Sequence, residues 1–66
     1  MNIEIEKEED GRWIAEVPDL PGVMVYGQNR KEAISKVEAL VLRVLADRLE
    51  QGEKIQELSG VFAIQA

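Results

Sequence analysis

Cysteine and histidine are both absent from this sequence of 66 residues. Their absence excludes thiol nucleophiles, imidazole general bases and the usual protein ligands of zinc and haem. It also excludes disulfides and common structural metal sites, which stabilise many very small domains. A chain this short buries only about 60% of the surface that its unfolded form exposes. We therefore expect no cofactor or metal, and self-association is the remaining route to extra burial.

Long apolar runs and clusters of basic residues are also lacking. No stretch approaches the roughly 20 apolar residues that cross a bilayer. The N-terminus does not have the basic start and apolar core of a secretory signal, so the sequence predicts a cytoplasmic protein without membrane contact. With a net charge of -5, direct nucleic-acid binding is not expected. An acidic chain favours a basic partner, although negative charge also keeps small proteins soluble.

Two strands joined by a tight turn are predicted at the N-terminus. Residues 3–7 and 12–17 alternate apolar and polar side chains, and an Asp-Gly pair lies between them. A two-residue loop would turn the apolar side chains of the two strands to opposite faces. A three-residue loop puts them on one face, and its third position needs the left-handed conformation that Gly11 adopts without steric cost. This register places Glu4 directly opposite Glu16.

The segment PDLPG, residues 18–22, predicts a corner. Pro18 lacks an amide donor and so ends the second strand, while the following Pro-Gly pair suits a tight turn. A third strand at 23–26 is expected to run antiparallel to the second, because a short connection cannot make a parallel crossover. Asp19 is interpreted as a turn residue.

A long helix is predicted from about Arg30 to about Gln51. Asn29 suits the N-cap, with Glu32 three residues later as in a capping box. Gly52 suits the cap at the other end. Apolar side chains cover about half of the helix circumference, more than the roughly 100° that packs on one sheet.

The excess apolar surface predicts a second burial partner. A stripe beside the main one carries three leucines, and a short strand is predicted at 61–64. A terminal strand left at a sheet edge invites pairing. We therefore predict a homo-oligomer, dimer or tetramer, whose candidate interface residues are Leu42, Leu45, Leu49, Val61 and Phe62.

The predicted element order is β-β-β-α-β. It describes an α+β two-layer sandwich with a three- to four-stranded antiparallel sheet and one long helix on one face. Residues 1–66 are expected to form a single domain. The last strand can add to the same sheet or pair with another subunit, and the sequence does not choose.

One stretch of the chain, EEDGRWIAEVPDLPGVMVYGQNRKEAISKVEAL, resembles the N-terminal domain of the HicB-like antitoxins. The shared elements are the acidic hairpin, an aromatic early in the second strand, the proline-bracketed corner, a strand ending in Gly and the capped helix. The resemblance implies a partial RNase H-like fold and a small basic mRNA-cleaving toxin of the HicA type as partner. Many relatives add a C-terminal DNA-binding domain; these 66 residues do not contain one, so repression by DNA binding is not expected.

The candidate partner-binding residues lie on the sheet face that points away from the helix. They are Glu4, Glu6, Glu16, Ile14, Met24 and Tyr26. Such a face can oppose a basic toxin, because complementary charge speeds encounter and excludes wrong partners. The alternative interpretation is an ordinary solvated face. A metal-dependent nuclease, suggested by opposed carboxylates in an RNase H-like fold, is a remote third possibility.

The sequence therefore predicts a binding protein and no enzyme. The favoured hypothesis is an antitoxin that neutralises its toxin by occlusion, with the acidic sheet face docked on the toxin. The competing hypothesis is an orphan homo-oligomeric interaction module that has neither a toxin nor a DNA partner.

Overall fold

Three short antiparallel strands and one long helix carry the fold. The computed structural model describes residues 1–65. The strands are β1 (Glu4–Lys7), β2 (Trp13–Glu16) and β3 (Met24–Gly27), which form one sheet in that order. The helix α1 (Arg30–Glu50) packs on one face of the sheet, and a 3₁₀ turn follows at Gln56–Leu58. The predicted α+β arrangement is confirmed.

The hairpin between β1 and β2 has the predicted three-residue loop. The amide of Glu8 donates to the carbonyl of Arg12 at 2.7 Å, and the amide of Gly11 donates to the carbonyl of Glu8 at 3.0 Å. Gly11 has φ +89°, the left-handed conformation that this loop requires. Glu4 consequently pairs with Glu16, as predicted from the three-residue loop that places the apolar side chains of both strands on one face.

The corner between β2 and β3 consists of two consecutive β-turns. The amide of Leu20 donates to the carbonyl of Val17 and the amide of Val23 donates to the carbonyl of Leu20, both at 3.0 Å. Each turn has a proline at its second position, where the fixed φ of proline fits. Gly22 has the positive φ that a type II turn needs. Leu20, only 4% exposed, anchors the corner in the core.

Both ends of α1 are capped. The Asn29 side chain accepts a hydrogen bond from the Glu32 amide at 2.8 Å. The Glu32 carboxylate accepts a hydrogen bond from the Gln28 amide at 3.0 Å. In a standard capping box the donor would be the amide of the N-cap residue, Asn29, which follows Gln28. At the other end the amides of Gly52 and Glu53 donate to carbonyls of the last turn, the pattern of a Schellman motif.

Gly27 lets the start of α1 approach the sheet closely. A Cβ placed on Gly27 would lie 2.5 Å from the amide nitrogen of Ala33 and 2.8 Å from its Cα. Atoms cannot remain that close, so the end of β3 and the first turn of the helix pack backbone against backbone.

One small core joins the sheet to the helix. Its buried residues are Ala15, Val17, Leu20, Val23, Ala33, Val37 and Leu45. Ile55, beyond the helix, returns to pack against this core and is half-buried. The predicted inward set of β1 and β2, which includes Ile3, Ile5 and Trp13, also packs there.

The helix is longer than the sheet that it covers. Its 21 residues span about 31 Å, whereas four-residue strands span only about 13 Å. The radius of gyration is 14.2 Å and the longest extent 52 Å. A compact chain of this length has a radius of gyration of about 11 Å, so the end of the helix and the following residues project from the core.

Two sequence predictions are corrected here. Residues 61–64 form no strand within the chain, because no neighbouring strand offers them a hydrogen-bonding edge at the place where they lie. Leu45 is not part of an exposed stripe: it is 7% exposed and belongs to the core. The helical pattern could not show that Ile55 folds back toward this core.

Candidate protein-binding face of the sheet

The six predicted partner-binding residues lie together in two cross-strand rows. Glu4 pairs with Glu16, which pairs in turn with Met24. Glu6 pairs with Ile14, which pairs with Tyr26. Side chains alternate along a strand, so both rows point away from α1. We call this surface the outer face.

The outer face combines negative charge with apolar contact area. Glu4, Glu6 and Glu16 are exposed. Met24 is 48% and Tyr26 40% exposed, while Ile14 is half-buried. Carboxylates paired across neighbouring strands repel one another. The face therefore carries unneutralised charge beside side chains that can anchor a partner.

Arg12 adds a cation to one end of the outer face. Its guanidinium carbon lies 4.4 Å from the centre of the Tyr26 ring, a cation–π contact. Its Nε donates to the Asp10 carboxylate at 2.7 Å, and its backbone amide donates to the same carboxylate at 3.0 Å. The hydrogen bond from the Arg12 amide, followed by that from its side chain, lowers the pKa of Asp10 below its usual value.

Sequence reasoning missed Arg12, because its contact with Tyr26 depends on the register of β2 and β3. Arg12 precedes Ile14 by two residues, and Ile14 pairs with Tyr26. A long side chain can reach such a diagonal neighbour on the same face of a sheet. The stack holds the aromatic ring in place and leaves Tyr26 partly exposed.

The predicted oligomer residues do not form one continuous surface. Leu42, 67% exposed, borders a groove between the helix and the start of β1, together with Met1 and Ile3. Leu49, 46% exposed, lines a different groove at the helix end, together with Phe62. Val61 is 58% exposed. These side chains remain available for contacts, whereas Leu45 does not.

Comparison with known proteins shows the family to which the chain belongs. The model of a family described as "HicB_like antitoxin of bacterial toxin-antitoxin system" matches residues 1–66. The chain belongs to the HicB-like antitoxin family. It is also 33% identical over 51 residues to the UPF0150 protein Ta0767 of Thermoplasma acidophilum, covering 77% of this chain and 74% of that protein. No solved structure matches it significantly.

Membership of the HicB-like antitoxin family confirms the predicted resemblance and places the chain in a family of toxin–antitoxin components. Membership of an antitoxin family implies a toxin partner in general. Within residues 1–65, no three His, Cys, Asp or Glu side chains converge to hold a metal ion. Over the same residues, no helix has the length and apolar character needed to span a bilayer.

Proposed function

We propose that this HicB-like protein neutralises a small basic, mRNA-cleaving toxin of the HicA type by occluding its RNA-binding surface. The observation that carries the proposal is the pair of cross-strand rows on the outer face. They set three exposed carboxylates beside Ile14, Met24 and Tyr26. A surface that binds RNA must itself be basic, so the outer face is its electrostatic complement.

The two kinds of side chain serve different stages of binding. The carboxylates accelerate encounter with a basic surface and disfavour acidic partners. Met24 and Tyr26 supply the apolar area that holds the complex after water has left, since aromatic anchors near the centre of an interface dominate its affinity. Arg12 keeps the Tyr26 ring oriented before binding.

Occlusion requires no chemistry from the antitoxin. The same acidic face repels a phosphate backbone, so the protein acts on the toxin and makes no direct contact with mRNA. This function belongs to the cytoplasm, where mRNA is translated.

Co-purification with a small basic protein encoded by an adjacent gene tests the proposal, and the absence of any such gene would contradict it. The double variant Glu4→Lys, Glu16→Lys should weaken the complex by at least about 100-fold, because two repulsive pairs replace two attractive ones. A matched control, Glu50→Lys with Glu53→Lys, makes the same charge change on exposed positions away from the outer face and should bind normally.

The dependence of the complex on salt concentration provides a second test. A complex built on opposed charges weakens as ionic strength rises, since exposed charges are screened. Co-expression should also rescue cells from the basic protein, and the double variant should lose this rescue. If both double variants bind and rescue equally, the outer face is not the toxin-binding surface.

A second candidate function is that of an orphan homo-oligomeric interaction module, dimer or tetramer. It is favoured by the exposed apolar residues Leu42, Leu49, Val61 and Phe62, which a monomer leaves in water. This alternative predicts a self-associated species and no second protein in a pull-down. Recovery of the neighbouring basic protein at a fixed stoichiometry would contradict it.

A further inference from the structure

Strand β1 has an open hydrogen-bonding edge. The Glu8 amide donates to Arg12, and in an antiparallel ladder the bonded pairs alternate with non-bonded pairs. Glu6 and Glu4 therefore bond to β2, while the amides of Ile5 and Lys7 point away from the sheet. In the sheet that the described residues form, no strand lies beyond β1 to accept these donors.

An apolar groove lies beside this edge, between β1 and the helix. It is lined by the apolar side chains of Met1, Ile3, Val17, Val41 and Leu42, and by one charged residue, Glu38. Helix α1 packs mainly on β3 and β2 and least on β1, which leaves Ile3 only half-buried. The opposite edge of the sheet, β3, differs from the β1 edge, because the first turn of α1 packs directly against Gly27 there.

The segment 61–64 has the complementary properties. Val61, Phe62 and Ile64 are 58%, 70% and 90% exposed. At four residues it is as long as β1. In an extended conformation Phe62 and Ile64 would point to one side, so both could enter one groove while the backbone pairs with the edge.

We infer that segment 61–64 of one chain adds as a fourth strand to the β1 edge of a second copy, with Phe62 and Ile64 in the groove beside Leu42. A reciprocal exchange covers both open edges and both exposed segments in one two-fold dimer. Open edges of this kind otherwise template uncontrolled pairing. This assembly is independent of toxin binding, since it leaves the outer face of the sheet uncovered.

A second copy is a better occupant than the chain's own segment. The Val61 amide donates to the Leu58 carbonyl at 3.0 Å, which turns the backbone back just before the apolar residues. Phe62 lies beside Leu49 at the projecting end of the helix. The segment is thus held beyond the sheet, where another molecule can meet it.

Two measurements on the full chain test this dimer. Sedimentation equilibrium gives the mass, and amide hydrogen exchange by NMR reports whether the Ile5 amide is bonded. We expect a dimer in which Ile5 exchanges about as slowly as Glu6, whose amide bonds to β2. Dilution to the monomer should restore fast exchange at Ile5 while Glu6 changes far less.

Single substitutions identify the contacts. Phe62→Asp and Leu42→Asp should each raise the dimer dissociation constant by about 100-fold, since each places a charge in an apolar contact. Ser59→Asp is the matched control, because it adds the same charge at an exposed position just before the segment. Phe62 and Leu42 are exposed in the single chain, so helix content by circular dichroism should be unchanged.

Any of the following four results would contradict the proposed dimer. A monomer whose Ile5 amide is protected means that the segment closes on its own sheet. A dimer whose Ile5 amide exchanges freely means that the interface lies elsewhere. A monomer with free exchange removes the assembly altogether, and so does a dimer that Phe62→Asp and Leu42→Asp leave intact. Toxin binding is measured separately, so either proposal can fail without the other.

Discussion

Glu4 and Glu16 lie directly opposite each other on the outer face of the sheet, each on its own strand. Like charges so placed destabilise a sheet. The free protein therefore holds a repulsive pair on the surface that we propose to bind a toxin. Cationic side chains of a partner would relieve this repulsion.

Removing one charge of this pair should separate stability from binding. Glu16→Gln is expected to raise the free energy of unfolding by about 0.5 kcal/mol and to weaken the toxin complex. Urea denaturation measures the first effect and isothermal calorimetry the second. Glu53→Gln, an exposed control, should change neither. A variant that is less stable and yet binds the toxin unchanged would contradict the role given to the pair.

The backbone contact between Gly27 and Ala33 predicts a large effect from one methyl group. Gly27→Ala should lower the free energy of unfolding by about 1–3 kcal/mol, because the helix start must move away from β3. The nearest atoms belong to the Ala33 backbone, so adding Ala33→Gly should not restore stability. Thermal unfolding of the single and double variants tests this, and recovery in the double variant would place the clash between the two methyl groups.

Two leucines on the same helix should differ sharply when truncated. Leu45→Ala removes a core side chain and should cost about 2–5 kcal/mol. Leu42→Ala, 67% exposed in the single chain, should cost well under 1 kcal/mol when measured at protein concentrations too low for association. Equal losses for the two variants under those conditions would contradict the packing described for α1.

Acid should loosen the N-terminal cap of the helix. The hydrogen bond from the Gln28 amide, followed by that from Lys36, lowers the pKa of Glu32. A carboxylate whose pKa is lower in the folded state stabilises the fold above its unfolded pKa, near pH 4.3, and loses this contribution as pH falls through the folded value. Glu32→Gln should therefore flatten the dependence of unfolding on pH below about 4.3. The control Glu50→Gln, at an exposed position of the same helix, should retain more of that dependence.

Local chemistry made most of the fold predictable. Gly11 and the alternation of β1 and β2 together left one acceptable register, and Asn29 and Gly52 marked the helix ends. These features depend on neighbours in sequence. The outward direction of Glu4, Glu6, Ile14 and Glu16 followed from the predicted register of β1 and β2. That of Met24 and Tyr26 followed from the alternation of side chains along β3.

The mistaken predictions depended on distant neighbours. Leu45 looked like surplus apolar surface because the periodicity of a helix does not reveal Ile55 returning to the core. Segment 61–64 has the composition of a strand, but a strand exists only where an edge receives it. The stack of Arg12 on Tyr26 needed the register of β2 and β3, which the long corner did not specify.

The alternation of side chains in the sheet separates selection for partner binding from selection for core packing. Residues that a partner would contact point outward, and residues that hold the core together point toward the helix. Substitution on one side therefore leaves the packing of the other side untouched. A lineage can change its partner specificity pair by pair along the two rows while the same scaffold is inherited.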